Sequence, residues 1–451
     1  MSAFWSANAL LPDGWAQDVR FIMAGSQIAA VETGVPAHPG DETHQITLPG
    51  LANVHSHAFQ RGMAGLAEHR GGKSDDNFWS WREVMYRFVD RLTPDDMEAI
   101  AAMAYMEMLE TGYTHVGEFH YLHNDADGRA YADPAEMASR IVAAAHATGI
   151  GLTLLPVFYA HSNFGGMAPH HGQRRFVNDA DSFERLLAAC APLLTDGHQL
   201  GIAPHSLRAV TANELAALIG MHPQGPIHIH AAEQQKEVQD SLAFSGQRPV
   251  EWLLDHAGLD PRWCLIHATH LTDEEIDRLA TSGAVAGLCP ITEANLGDGI
   301  FPALRFLGAG GRIGIGTDSN ILIDPAQELR ALEYSQRLAH QGRNILSSDT
   351  YPSVARGLFD AALAGGGQAM GITPGLAIGN AADFVTQNAA HPVLHGRTGD
   401  QLLDSWIFAA RNTCIDTVWK RGKKLVSGGR HRASESVTRR YLKVVDRIMT
   451  E

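Results

Sequence analysis

The sequence predicts an α/β fold: a closed (β/α)₈ TIM barrel of the metal-dependent hydrolase type, with a small β-sandwich domain formed by both termini. Short β-branched and apolar runs alternate with longer helical patterns between residues 48 and 371, which is typical of βα units. Eight such runs occur, and eight parallel strands close a barrel. The chain has 451 residues and such a barrel needs roughly 250, so a second domain is expected.

The predicted strands are short apolar runs, several of which end in histidine or acidic residues. In chain order they are ITLPGLANVHSH, THVGEFHY, GLTLLPVFYAH, LGIAPHSLRA, PIHIHAAE, WCLIHATH, AVAGLCPIT and GRIGIGTDSN. The helices between them have recognisable ends. Thr93 is a predicted N-cap, Pro94 occupies the first helical position, and Gly112 ends that helix. Thr272 and Gly283 delimit another helix in the same way.

The two ends of the chain differ from this central pattern. Residues 1–47 and 372–430 carry short alternating stretches such as VRFIMAG and DTVWKRGKKLVSGG, which are typical of exposed antiparallel strands. We therefore expect a composite β-sandwich domain built from 1–47 and 372–430, a barrel over 48–371, and a helical tail over 431–451.

Composition narrows the possible partners and location. The net charge of −15 argues against nucleic acid, because phosphate contacts need clustered Lys and Arg. No apolar run approaches the roughly 18 residues that a membrane helix needs, and the first residues do not have the pattern of a signal peptide. The four cysteines form no CxxC pair and are expected to be buried thiols in a reducing compartment. These features favour a cytoplasmic protein.

Histidine and aspartate residues end three of the predicted strands, where barrel enzymes build their active sites. His55 and His57 are two apart on the first strand, so their side chains point the same way. His230 ends the fifth strand and Asp318 the eighth. Three histidines and a carboxylate suit a catalytic zinc ion, and iron would accept the same ligands. An isolated HxH pair would be weak evidence for a metal site in a chain with 24 histidines. Four such residues at the ends of three strands together predict one.

Glu233 and His267 are the predicted proton-transfer groups. Glu233 follows His230 by three positions, so the chain must leave the strand after His230 for the carboxylate to stand over the metal. The structural alternative is an acid that stabilises a helix N-terminus. His267 continues the alternation of the sixth strand and can hydrogen-bond the attacking water. His270, three residues further on, remains an alternative.

This pattern resembles the amidohydrolase superfamily, and within it the mononuclear deaminases that combine HxxE on strand 5 with Asp on strand 8. Longer segments are similar to the formimidoylglutamate deiminases of bacterial histidine degradation. They are NVHSHAFQRGMAGL, FWSWREVMYR, GEFHYLH, HSLRAVT, IHIHAAEQQKEV, CLIHATH, GLCPITEANLGDGIFP and GIGTDS, and they span nearly the whole chain. The resemblance implies hydrolysis of N-formimidoyl-L-glutamate to N-formyl-L-glutamate and ammonia.

The resemblance also implies roles for individual residues. The implied metal ligands are His55, His57, His230 and Asp318, and the implied catalytic residues are Glu233, His267 and Asp318. The implied substrate contacts are Gln60, Arg82, Tyr121, His205 and Arg208. Binuclear relatives bridge two metals with a modified lysine on strand 4, and this strand reads IAPHSLRAV, so one zinc ion per subunit is expected. The resemblance further suggests a homodimer.

Two arginines are the expected binding partners of the two substrate carboxylates. Arg82 and Arg208 lie on separate predicted elements, and each could bind one carboxylate in a bidentate manner. Which arginine binds which carboxylate stays open. The structural alternative for Arg82 is an ion pair on a helix surface, since Glu83 is its neighbour.

Two other functions are compatible with parts of the pattern. One is a related deaminase or chlorohydrolase that acts on a purine, pterin or triazine-like ring, although such a pocket would need aromatic stacking and amide donors rather than two arginines. The other is a barrel that binds metal without turnover. Glu233 beside a complete ligand set argues against it, because holding a metal requires no proton shuttle.

Overall fold

The computed structural model describes residues 2–69, 76–195, 197–222, 224–411 and 414–450. The strands of this part are β1 (Ser2–Leu11), β2 (Gly14–Ala24), β3 (Gln27–Glu32), β4 (Glu42–Pro49), β5 (Leu51–Ser56), β6 (Tyr113–His120), β7 (Gly151–Phe158), β8 (Gln199–Leu200), β9 (Ala203–Pro204), β10 (Ile227–Ala231), β11 (Trp263–His267), β12 (Val285–Leu288), β13 (Arg312–Ile315), β14 (Phe384–Gln387), β15 (Ile415–Lys420), β16 (Lys423–Ser427) and β17 (Arg430–His431).

The helices of the described residues surround the barrel or follow its strands. They are α1 (Phe78–Val89), α2 (Pro94–Thr111), α3 (Glu136–Thr148), α4 (Ala180–Cys190), α5 (Ala212–Met221), α6 (Gln235–Ser245), α7 (Pro249–His256), α8 (Asp273–Ser282), α9 (Pro290–Leu296), α10 (Ala303–Gly308), α11 (Pro325–His340), α12 (Val354–Met370), α13 (Asp400–Ala409) and α14 (Ser434–Thr450). Short 3-10 segments occur at Ala58–Met63, His171–Gln173 and Ala191–Leu193. None of these helices is both long enough and apolar enough to span a bilayer.

The barrel is a parallel sheet in the order β10-β11-β12-β13-β5-β6-β7-β8, and β9 also pairs with β7. The fourth barrel strand is thus divided into the two short strands β8 and β9. Parallel bridges from Ile202 to Ile227 and from Ser206 to His230 join this divided strand to β10 and close the barrel. The predicted fold class is confirmed.

The two ends of the chain form one separate eight-stranded sheet, in the order β17-β16-β15-β14-β4-β1-β2-β3. Its core includes stacked aromatic rings from both ends of the chain: Phe4 stacks on Phe384 with 4.2 Å between centroids, and Phe384 on Trp419 with 5.2 Å. Burial of large aromatic surfaces stabilises this contact between sequence-distant strands.

The first predicted strand, from Ile46 to His57, is wrong as a single element, because the structure divides it at Gly50. Strand β4 ends at Pro49 and belongs to the terminal sheet, whereas β5 begins at Leu51 and belongs to the barrel. A Cβ on Gly50 would lie only 2.2 Å from Cγ2 of Thr114. Glycine therefore allows the chain to pass close to the barrel as it changes sheets.

The predicted helix ends are confirmed. Thr93 accepts a hydrogen bond from the amide of Asp96, whose carboxylate accepts the amide of Thr93 in return, which is a capping box. Helix α2 ends at Gly112 with φ 108°. Thr272 caps α8 in the same manner. The C-terminal helix α14 packs on α2.

Candidate active site

The carboxyl ends of the barrel strands surround a pocket that contains the predicted site residues. It is lined by His57, Gln60, Phe78, Trp81, Arg82, Met85, Tyr121, His205, Arg208, His230, Glu233, His267, Leu296 and Asp318. His55 lies directly against His57 and is completely buried. The free volume is about 60 Å³, which is the space of roughly two water molecules.

Three imidazoles and one carboxylate converge at the base of this pocket. His55 Nε2 lies 3.2 Å from Nε2 of both His57 and His230. Asp318 Oδ1 lies 3.4 Å from His55 Nε2 and 3.3 Å from His57 Nε2. The sequence predicted these four residues as one metal site, and the structure brings all four together.

The protonation of these rings favours a cation at the centre. The Nδ1–H groups of His57 and His230 donate to the carbonyl oxygens of Phe119 and His205 at 3.0 Å, so in the neutral rings each Nε2 carries a lone pair. Burial lowers the pKa of His57 and, to about 3, that of His55. The Asp318 oxygen that lies 3.3 Å from His57 Nε2 is also an acceptor. Two acceptors at this distance repel each other unless a positive charge lies between them, so the donor set fits a divalent metal ion.

Asp318, Glu233 and His267 form an acid–base group above the candidate ligands. His267 Nε2 lies 3.8 Å from Glu233 Oε1 and 3.9 Å from Asp318 Oδ2. Burial raises the pKa of Glu233 to about 7. Burial acts to lower the pKa of His267, but the carboxylates around it raise this pKa to about 10. Glu233 can therefore accept a proton near neutral pH, and the protonated His267 ring beside it can donate a hydrogen bond.

Glu293, to which the sequence assigned no role, holds the His267 ring. Its Oε1 lies 3.3 Å from His267 Nδ1 and accepts the amide of Cys289 at 2.9 Å. His267 Nε2 is thereby directed at Glu233 and Asp318. His270 does not line the pocket, and its Nδ1 contacts the side-chain amide of Gln235 at 2.8 Å. The geometry favours His267 over His270.

The chain leaves β10 after Ala231, and this turn carries Glu233 into the pocket. Ala232 adopts φ 51°, and the carboxylate of Glu237 accepts the amides of Ala232 and Glu233 at 3.3 and 3.2 Å. Glu237 thus stabilises the turn, which also explains the second glutamate of the AEQQKE segment. The sequence signal for this role was an acidic residue in the first turn of helix α6, and the structure shows that this residue is buried.

Asn320 joins the two loops that carry the candidate ligands. Its side-chain amide donates to Ser56 Oγ, to the carbonyl of His57 and to the carbonyl of Asp318, each at 3.1 Å. Its Oδ1 accepts the hydroxyl of Thr317 at 2.6 Å. This buried side chain and the backbone hydrogen bond from His57 N to Asp318 O, at 2.9 Å, therefore hold the ends of β5 and β13 together.

Arg82 and Arg208 both line the pocket. The Arg82 guanidinium donates to the hydroxyl of Tyr159 at 3.0 Å and lies over the ring of Trp79, 5.6 Å from its centroid. Arg208 is 8% exposed and lies 6.0 Å from the same centroid. Within the described residues neither arginine forms an ion pair, and Glu83 does not bind Arg82. Among the described residues the pocket therefore holds two guanidinium groups without an ion pair, and the charge of Arg208 opposes the rise in the pKa of Glu233.

The three remaining predicted contacts are also at the pocket. Gln60 donates to the hydroxyl of Tyr121 at 3.0 Å, and its own Oε1 is buried without a partner in the described chain. The His205 ring packs 4.6 Å from that of Tyr159. Sequence reasoning missed the apolar wall, which consists of Phe78, Trp81, Met85 and Leu296.

Two protein-family models match this chain. The family model of the amidohydrolase family matches residues 46–425. The model of the N-terminal domain of formimidoylglutamate deiminase HutF matches residues 1–45. The amidohydrolase family is metal-dependent, which agrees with the cluster of buried imidazoles and the carboxylate.

Individual relatives agree with the family models. A formimidoylglutamate deiminase of Pseudomonas aeruginosa is 50% identical over 453 residues, and the alignment covers 100% of both chains. The crystal structure of an amidohydrolase from Brucella melitensis has a TM-score of 0.96 at 54% identity, with 100% of both chains covered. The crystal structure of an adenosine deaminase from Xanthomonas campestris with bound zinc has a TM-score of 0.81 at 21% identity, covering 100% of this chain and 98% of that one, and shares the fold. The chain therefore belongs to the amidohydrolase family and, within it, to the formimidoylglutamate deiminases.

Proposed function

We propose that the protein hydrolyses N-formimidoyl-L-glutamate to N-formyl-L-glutamate and ammonia, as a step of histidine degradation. One observation carries the substrate assignment: Arg82 and Arg208 face the pocket of the acid–base group without an acidic partner in the described chain. A buried cation is costly unless an anion pairs with it. The two carboxylates of the substrate would supply these partners, and its formimidoyl carbon would then lie near Glu233.

The proposed metal is a single zinc ion held by His55, His57, His230 and Asp318. Neutral imidazoles and a carboxylate are ligands that zinc accepts, although iron accepts the same set. The fourth barrel strand, residues 199–204, contains no lysine that could bridge a second ion, which supports one metal per subunit. A divalent ion at this position would supply Lewis-acid activation of the attacking water.

The protein residues would move the protons of the reaction. Glu233 accepts a proton from the water that attacks the formimidoyl carbon and delivers it to the terminal nitrogen. The remaining proton of the water oxygen follows to this nitrogen as the carbon–nitrogen bond breaks, so that ammonia leaves and the formyl carbonyl forms. Asp318 accepts a hydrogen bond from the water and orients it, and the protonated ring of His267 donates to the oxygen on which charge develops. Gln60, Tyr121 and His205 are proposed to hydrogen-bond the substrate beside the arginines. The carbon–nitrogen bond to glutamate stays intact.

An ammonia-release assay tests this proposal. The metal-loaded protein should release ammonia from N-formimidoyl-L-glutamate, and NMR should identify N-formyl-L-glutamate as the second product. Glutamate and formamide would indicate cleavage of the other carbon–nitrogen bond and would contradict the mechanism. Guanine, adenosine and a chlorotriazine serve as comparison substrates, and faster turnover of any of them would favour the ring-hydrolase alternative. No turnover of any substrate would favour a metal-binding barrel.

The same proposal includes a cytoplasmic homodimer. Cys190, Cys264, Cys289 and Cys414 are buried and unpaired, which supports a reducing compartment. Tyr334 and Leu338, one turn apart on α11, are 41% and 80% exposed, and exposed apolar side chains favour burial against a second copy. Light scattering should give the mass of a dimer, and Leu338→Glu should shift it towards the monomer. A monomeric wild type would contradict this part.

A further inference from the structure

The Arg82 guanidinium is bound by a hydroxyl group from a different part of the barrel. Its Nη2 donates to Tyr159 Oη at 3.0 Å. The same guanidinium lies over the rings of Trp79 and Tyr86, 5.6 and 5.3 Å from their centroids. Those two rings belong to α1, the helix that carries Arg82 itself. Tyr159 directly follows β7, so its hydroxyl connects the guanidinium to the barrel.

Gln173 binds the same hydroxyl oxygen. Its Nε2 donates to Tyr159 Oη at 2.6 Å, and its Oε1 accepts the amide of His170 at 3.0 Å. Because the oxygen of the Gln173 side chain accepts from His170, its NH₂ group is left to face Tyr159. Gln173 is completely buried, where loss of a hydrogen-bond partner is costly.

The direction of these hydrogen bonds follows from the chemistry of the groups. A guanidinium and an amide NH₂ group can only donate. Tyr159 Oη therefore accepts from both Arg82 and Gln173. A phenylalanine at position 159 would keep the ring and remove the acceptor that the two donors share.

The position of Tyr159 is itself well defined. Its backbone amide donates to Asn178 Oδ1 at 3.0 Å, and its carbonyl accepts the amide of Asn178 at 3.1 Å. Its ring packs against that of His205, with 4.6 Å between centroids, and the residue is 3% exposed. A close-packed side chain of this kind stays in one rotamer. The barrel, rather than α1, therefore determines where the hydroxyl lies.

The segment that carries Gln173 also contacts α1 directly. The His170 ring packs on that of Tyr86, with 5.5 Å between centroids. A Cβ on Gly172 would lie 2.9 Å from Cδ2 of Tyr86, so glycine allows the segment to approach the helix closely. The segment therefore reaches α1 in two ways, directly at Tyr86 and through Tyr159 at Arg82.

We propose that Tyr159 and Gln173 are positioning residues that hold the Arg82 guanidinium for a carboxylate of the substrate. This inference rests on the proposed function, in which Arg82 binds one of the two carboxylates. The Tyr159 hydroxyl accepts one of the five N–H groups of the guanidinium and leaves the others for the carboxylate. Gln173 acts through Tyr159, because its amide holds the oxygen to which Arg82 donates. The sequence pattern assigned no role to either residue.

Steady-state kinetics of the metal-loaded protein test the proposal. Tyr159→Phe should raise KM for N-formimidoyl-L-glutamate about tenfold, the effect of one hydrogen bond to a charged group, with kcat and metal content unchanged. Gln173→Met should raise KM by a smaller factor. Tyr113→Phe is the matched control and should leave KM unchanged, because its buried hydroxyl has no partner in the described chain and the residue does not line the pocket. An unchanged KM in Tyr159→Phe, or a lower kcat at unchanged KM, would refute the proposal.

Combined variants distinguish positioning of Arg82 from general support of the fold. In the Arg82→Met background the guanidinium is absent, so Tyr159→Phe should cause no further loss of kcat/KM. Tyr159→Phe combined with Gln173→Met should match Tyr159→Phe alone. Full additivity in either pair would mean that the residues act independently, and the proposed order of contacts would be wrong.

Crystal structures of the wild type and of Tyr159→Phe separate this inference from the proposed function. The guanidinium of Arg82 should lie on Tyr159 Oη in the wild type and should leave this position, or occupy several, in the variant. This displacement together with a wild type that releases no ammonia from N-formimidoyl-L-glutamate would contradict the proposed function and support the positioning role. A guanidinium that keeps its place in the variant would overturn the inference, whatever the activity.

Discussion

Replacement of Arg208 or Arg82 by methionine is the most direct test of substrate recognition. Methionine keeps much of the aliphatic volume and removes the guanidinium. Neither arginine lies among the candidate metal ligands, so the metal content should stay at the wild-type value. The matched control is Arg87→Met, which removes an exposed arginine from the same helix as Arg82.

The size of the effect follows from the surroundings of each arginine. Arg208 is 8% exposed and has no acidic partner in the described chain, so its bond to a substrate carboxylate would be little screened by solvent. A hydrogen bond to a charged group contributes about 1.5–3 kcal/mol. At about 1.4 kcal/mol per tenfold change, either single variant should lose about tenfold to a hundredfold in kcat/KM.

Two truncated substrates assign each arginine to a carboxylate. N-formimidoyl-4-aminobutyrate has only the side-chain carboxylate of the parent compound, and N-formimidoyl-2-aminobutyrate has only the α-carboxylate. A variant that has lost the partner of one carboxylate should process the amidine without that carboxylate about as poorly as wild type does. Stopped-assay ammonia measurements give kcat/KM for each pair. If a variant lost activity equally on all three amidines, the arginine would support the fold, and the dicarboxylate assignment would lose its main physical basis.

Three further variants test the metal centre and its proton-transfer groups. Glu233→Gln should keep its metal and lose about 10²–10⁴-fold in kcat, because general acid–base catalysis contributes that much; near-normal kcat in the metal-loaded variant would exclude Glu233 from proton transfer. His55→Ala or Asp318→Ala should lose bound metal in elemental analysis, since each removes a ligand, and full occupancy would contradict the proposed set. Glu293→Gln should lower kcat about 10–100-fold, as is typical when a residue that orients a ligand or catalytic group is removed, with KM and metal content unchanged; a higher KM or a reduced metal content would indicate a general structural role.

The barrel could be predicted because its signal is local. Apolar runs of strand length recur along the chain, and the polar residues that follow them are found at one end of the barrel. The break at Gly50 could not be predicted in this way, because apolar residues such as Leu48 and Leu51 lie on both sides of it. Only the approach of Gly50 to Thr114, from a strand far along the chain, shows why the chain changes sheets there.

The candidate ligands could be predicted for a similar reason, whereas their supports could not. His55 and His57 are related by strand periodicity, which any reader of the sequence can count. Glu293 reaches His267 across 26 positions, and Asn320 reaches Ser56 across 264. Such contacts depend on how loops fold back over the barrel, and no spacing rule describes that.

Backbone conformation at the site gives a further reason why its geometry is hidden in the sequence. His267 and Asp318 adopt φ of 69° and 43°, in the left-handed region that residues other than glycine rarely occupy. Such a conformation costs about 1–3 kcal/mol per residue and persists only where neighbouring contacts enforce it. Here the enforcing contacts are the Glu293 carboxylate on His267 and the Asn320 amide on the Asp318 carbonyl. A residue-by-residue propensity does not predict the left-handed conformation at either position. The two supporting side chains therefore hold His267 and Asp318 in the conformations that bring His267 Nε2 within 3.8 Å of Glu233 and 3.9 Å of Asp318.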